Sequence, residues 1–163
     1  MLKKTNKKRT RLGPEEARDK ILEAALEGVE KAGWSGLSFQ MIAKKCKMST
    51  SNIVYHFESR PALLKALLER ISLNNFKIVG EAIKPEHDAY KRLLIHFQKN
   101  LEWAQAFPQE AQVVMQIYSE AFHDPEFTKI FSDMIYKAQE RVREHILAGV
   151  REKIFNPVLE PAV

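Results

Sequence analysis

The stretch Ser38–Phe57, SFQMIAKKCKMSTSNIVYHF, constrains the fold of this chain more than any other. An apolar pair, Ile42 and Ala43, is followed by Met48 and then by Ile53. At helical spacing these side chains hold two short helices across one another with a tight turn between them. Position 43 must be small where the helices cross, and it is alanine. Lys47 falls in the turn; a left-handed backbone there costs roughly 1–2 kcal/mol for any residue with a Cβ. Ser49, Thr50, Ser51 and Asn52 open the second helix, all small and polar. A helix that projects such residues from its first turn suits the major groove of DNA.

Helix signals continue on both sides of this unit. Gly13-Pro14-Glu15-Glu16 opens a first helix, with proline in the first turn and two acids at the positive end. Ala17, Ile21, Ala24, Ala25 and Val29 recur at helical spacing, and Gly33 is placed to end the helix as a left-handed C-cap. Trp34 and Leu37 read as core plugs. Ser38, Ser49 and Ser59 are N-caps for the second, third and fourth helices, about 39–45, 50–56 and 60 onward. The fourth runs through Leu63, Leu64, Leu67, Leu68 and Ile71 to Ile78. Lys84-Pro85-Glu86 is a break. A fifth helix follows over about 88–106, with Leu93, Leu94, Phe97 and Leu101 expected inward. A sixth spans about 109–122, and a seventh about 126–155 with a broad apolar face from Phe127 to Ile146. No strand-like alternation is present. The expected fold is all-α: a three-helix DNA-binding domain containing a helix-turn-helix over 14–73, then a C-terminal helical bundle over 74–163.

Charge separates along the same lines. Residues 1–60 hold 13 lysines and arginines against 7 acids, whereas residues 61–163 hold 13 against 14. Lys3, Lys4, Lys7, Lys8, Arg9 and Arg11 form a basic arm over residues 1–13 with no acid among them. Such a cluster is either a solvated tail or the footprint of a polyanion, and the adjacent helical pair favours DNA. The single cysteine, Cys46, excludes an internal disulfide and fits a reducing cytoplasm. No apolar run reaches the roughly 20 residues of a membrane span.

The run Arg18-Asp19-Lys20-Ile21-Leu22-Glu23-Ala24-Ala25, then Gly33, Ser38, Ile42-Ala43, Ser49 and Tyr55-His56-Phe57, resembles the DNA-binding domain of the tetracycline-repressor (TetR/AcrR) family. The phrase from Glu58 to Leu64 also resembles the start of that family's fourth helix. The resemblance covers about residues 14–70. It implies a bacterial transcriptional regulator, most simply a repressor that binds a palindromic operator as a homodimer and is released by a small, apolar ligand. Thr50, Ser51 and Asn52 would lie at the base edges, with Ser38, Ser49, Lys44 and Lys47 nearby. Tyr55, His56 and Arg60 would bind phosphates. Ser49 and Thr50 can equally serve as caps, and either ring of Tyr55 and His56 could instead pack on the first helix. Family members usually continue with further helix, so the usual dimer interface is left open.

The second half would supply an effector pocket, for which His96, Phe97, Trp103, Phe107, Met115, Tyr118 and Phe122 are candidate walls. Aromatic stripes of this kind also read as plain core. Enzyme readings find no support: the five histidines are scattered and form no HExxH-like pair, and no nucleotide-binding glycine loop exists. No metal site or cofactor is expected. Cys46 reads as a small core residue. The alternative from another class is a helical protein-interaction or membrane-surface module that uses the basic arm.

Overall fold

A computed structural model of the chain describes residues 13–156, so the basic arm Lys3–Arg11 lies outside the described residues. Seven helices and no strand occur among them: α1 Pro14–Gly36, α2 Phe39–Cys46, α3 Thr50–His56, α4 Arg60–Ile83, α5 Ala89–Ala106, α6 Pro108–Ala121 and α7 Pro125–Arg151. The serine caps are as the sequence implies. Ser38 Oγ accepts from the Met41 amide, Ser49 Oγ from that of Asn52, and Ser59 Oγ from that of Ala62, each at 3.2 Å. Each satisfies one of the amides that a helix start leaves without a partner.

Two helix ends depart from expectation. Gly33 has φ 68° and ψ 171°, an extended conformation with positive φ rather than the left-handed helical cap. That region is essentially restricted to glycine. The chain makes one further turn beyond it, which swings Trp34 inward before Leu37. α7 stops at Arg151 instead of reaching Phe155, because Lys153 turns left-handed at φ 61°. The amides of Ile154 and Phe155 then both donate to the Gly149 carbonyl. The Phe155 ring folds onto Gly149, where a Cβ would stand 2.2 Å from it.

One apolar cluster runs through the molecule. It starts with Ile21, Ala25 and Val29 on α1, takes in Ile42, Ile53 and Phe57, continues along Leu63, Leu64 and Leu67 on α4, and reaches Val113, Ile117 and Phe127 on α6 and α7. Trp34 joins the two halves directly, its ring meeting Phe127 edge-on at 5.7 Å. Cys46 is buried in this cluster with its Sγ donating to the Lys20 carbonyl at 3.4 Å, and burial pushes its thiol pKa up. α4 crosses from one half to the other without a break.

α5 presents a different face from the one periodicity suggests. Leu94, Phe97 and Leu101 point to solvent, Leu101 at 69% exposure, and Leu93 is half-buried. The side that meets α4 and α7 carries Ala89, His96, Asn100 and Trp103 instead. A polar ladder occupies it: Asn75 Nδ2 donates to Asn100 Oδ1 at 3.0 Å, and Asn100 Nδ2 donates to the His96 carbonyl at 2.7 Å.

Lys47 takes φ 57° and ψ 39° at the end of α2, the left-handed turn anticipated for it. Its amide donates back to Ala43 and Lys44. Lys47→Gly removes the Cβ strain at the cost of a more flexible unfolded chain, for a net gain of about 1 kcal/mol. A higher midpoint in urea with an unchanged slope is the expected result.

Candidate nucleic-acid interface and internal cavity

α3 is seven residues long and is fixed from beneath by one side chain, Ile53, which is fully buried. The positions around it alternate as a short helix on a core must. Thr50, Ser51, Val54 and Tyr55 are exposed, while Asn52 and His56 are half-buried. Tyr55 stands out most, at 80% exposure, with its ring edge-on to His56 at 5.2 Å. Val54 was not singled out as a site residue from sequence, although it lies four residues after Thr50 and therefore on the same face. A small apolar side chain there can meet a thymine methyl.

The caps and the outward face share residues. Ser49 Oγ accepts the Asn52 amide and lies 3.0 Å from Ser51 Oγ. Ser38 is likewise engaged as the α2 cap and half-buried. Lys44 and Lys47 are exposed and take part in no ion pair among the described residues, whereas Lys45 is paired with Glu27. The backbone of His56 is held from α1, with Arg18 Nη1 donating to its carbonyl at 3.2 Å. The same guanidinium lies over the Phe57 ring, 4.3 Å from its centre.

Arg60 is not free in the way its position at the start of α4 suggests. Its Nη2 donates to the Trp34 carbonyl at 2.5 Å, and its guanidinium lies 5.2 Å from the Trp34 ring centre. The turn that Gly33 permits brings that carbonyl to it. Arg60 therefore ties α4 to the end of α1 through Nη2, while the residue itself remains exposed.

Residues 21–67 match the family described as bacterial regulatory proteins, tetR family. That span, α1 to the start of α4, is therefore similar to the tetR-type domain. The chain is 40% identical over 52 residues to an uncharacterized HTH-type transcriptional regulator in the dhlA 5' region of Xanthobacter autotrophicus. That match covers 32% of the chain and 26% of the relative, so the chain spans about a quarter of the length of this curated protein. The fold is also that of solved structures of transcriptional regulators. A Saccharomonospora viridis protein in complex with choline has a TM-score of 0.74 at 24% identity, over 87% of this chain and 74% of its own. FadR from Bacillus subtilis, in complex with stearoyl-CoA, has a TM-score of 0.78 at 16% identity, over 87% and 75%.

A cavity of about 710 Å³, open to solvent on one side, lies between α4, α5, α6 and α7. Of the seven wall candidates named from sequence, only Trp103 lines it, its Nε1 donating to Glu110 Oε2 at 2.9 Å. Phe97, Phe107, Met115, Tyr118 and Phe122 are exposed on other faces of their helices. His96 is buried outside the lining. The walls that sequence reasoning missed come largely from α4 and α7, notably Leu68, Phe76, Met134 and Arg141. Apolar spacing on α4 was legible, but the side of it that borders empty space was not.

His96 is 5% exposed, its ring edge-on to His145 at 5.4 Å, and its Nδ1 has no partner. Burial, followed by the nearby His145 and Arg141, lowers its pKa from 6.5 to about 4. Between those values the unfolded chain binds a proton that the folded chain refuses. Stability is therefore complete above about pH 6.5 and falls on acidification, by up to about 1.4 kcal/mol per unit until about pH 4. His96→Leu should flatten this part of the melting-temperature profile. A profile as steep as that of the unaltered protein would assign the acid sensitivity elsewhere.

Proposed function

We propose that this protein is a sequence-specific DNA-binding transcriptional regulator, acting as a repressor on a palindromic operator and released by a small ligand. The observation that carries the reading is the outward face of α3. Thr50, Ser51, Val54 and Tyr55 are exposed together on a helix pinned by a buried Ile53, at the end of a left-handed turn. Thr50, Ser51 and Asn52 are placed for base edges or nearby phosphates, and Tyr55 and His56 for the backbone. Lys44, Lys47 and the basic arm add long-range attraction to the duplex.

A homodimer would place two copies of α3 in successive major grooves, about 34 Å apart. Exposed apolar side chains on α5, Leu94, Phe97 and Leu101, offer surface of the kind a second copy covers. The effector would occupy the α4–α7 cavity. α4 supports this coupling because Leu64 and Leu67 sit in the core under the DNA-binding unit, and Leu68 and Phe76 line the cavity. A ligand that prefers one tilt of α4 would shift the spacing of the two α3 helices. The reducing cytoplasm is the compartment this reading implies.

Selection of duplexes from a random pool by the full chain tests the proposal. The expected outcome is a palindrome with half-sites about one helical turn apart. Binding without any enriched sequence, matched by equal binding to anionic vesicles, would favour the interaction-module reading instead.

A further inference from the structure

Arg141 projects from α7 into the lining of the cavity. Its Nη1 is buried and has no hydrogen-bond partner, and among the described residues it enters no ion pair. The guanidinium is positioned by the Phe76 ring, whose centre lies 5.3 Å from Cζ. A guanidinium keeps its charge and offers five donors in a fixed fork. Leaving one of them buried and unmet is costly, and an exception of this kind calls for an explanation.

The rest of the lining does not supply the missing acceptor. Its other charged side chains are Lys65 with Glu69 on α4 and Asp133 with Lys137 on α7. Each pair is four residues apart on one helix and exposed, so each is spaced to balance itself at the mouth. Arg141 is the surplus charge, and it is the inner one. The two asparagines of the lining are already tied to each other and to the His96 carbonyl. Leu68, Ile71, Trp103, Val114 and Met134 make the remaining wall largely apolar.

We infer that the cavity takes an anionic amphiphile, its oxyanion head forked onto Arg141 and its apolar body laid along the wall from Leu68 to Met134. This rests on the effector reading of the cavity and specifies the ligand class. A forked, charge-assisted pair is short and directional, which suits one head group entering an otherwise greasy space. The two solved structures described above hold ligands of opposite charge, so the fold itself does not set the sign. In this chain Arg141 sets it.

The test is calorimetric titration of the full chain with four probes that carry ten-carbon chains, below their micelle thresholds: decanoate, decyl phosphate, decanol and decyltrimethylammonium. At least one of the two anions should bind tenfold or more tightly than decanol, and the comparison between them tells a carboxylate from a phosphate head. Arg141→Met should erase that preference while binding decanol as before, and its melting temperature should not fall, since the cation removed has no partner. Arg141→Lys should keep part of the preference, having the charge without the fork. Decanol binding as tightly as both anions, the cation binding best, or a preference that survives Arg141→Met would each overturn the inference while leaving the cavity an effector site. Failure of every probe to bind would overturn both.

Discussion

Tyr55→Glu will lower affinity for the selected duplex by about 100-fold or more and leave the melting temperature unchanged. The side chain is 80% exposed and makes no hydrogen bond among the described residues, so folding does not depend on it. Surface changes of this kind usually stay within about 0.5 kcal/mol. A carboxylate on the outward face of α3 would meet the phosphate backbone with the wrong sign, and in the proposed dimer the repulsion would act at both half-sites. Tyr55→Phe, which removes only the hydroxyl, should cost less than tenfold. Measured by fluorescence anisotropy at fixed salt, an affinity within threefold for Tyr55→Glu would remove α3 from the interface.

Two residues further on, the same logic inverts. Phe57→Ala should destabilise the protein by about 3–5 kcal/mol, because the ring is 2% exposed within the central cluster. It also removes the surface on which the Arg18 guanidinium rests. The cluster is shared by both halves, so loss at Phe57 should lower a single unfolding transition. Helical circular dichroism and the combined emission of Trp34 and Trp103 should report the same midpoint. A cost below about 1 kcal/mol, or two separated midpoints, would contradict the shared core.

The contrast between Tyr55 and Phe57 was legible in the sequence, and so was most of the first half. Serine caps, the small residue at position 43 and the apolar spacing around Ile53 are local signals, and they fix the starts of α1 to α4 nearly to the residue. The failures are tertiary. The charge and place of Arg60 give no sign that one of its donors is held by a carbonyl 26 residues earlier. Leu94, Phe97 and Leu101 form a good apolar stripe, but spacing cannot say whether a neighbour covers it. His96 and Arg141, scattered and polar, carry no periodic signal at all. The cavity escaped for the same reason, since a void has no sequence of its own. Gly33 was recognised as a helix stop, though not as the hinge that turns the Trp34 carbonyl toward α4.

The chain carries one thiol, and the fold has closed over it. With Cys46 packed between α1 and α2 and donating to the Lys20 carbonyl, a disulfide reagent can react only when those helices part. The rate of that reaction, compared with the rate in urea, measures how often the DNA-binding unit opens under native conditions. The molecule thus contains its own clock, readable without a label. Bound duplex should slow it, because a duplex that binds only the closed unit holds α2 and α3 against α1.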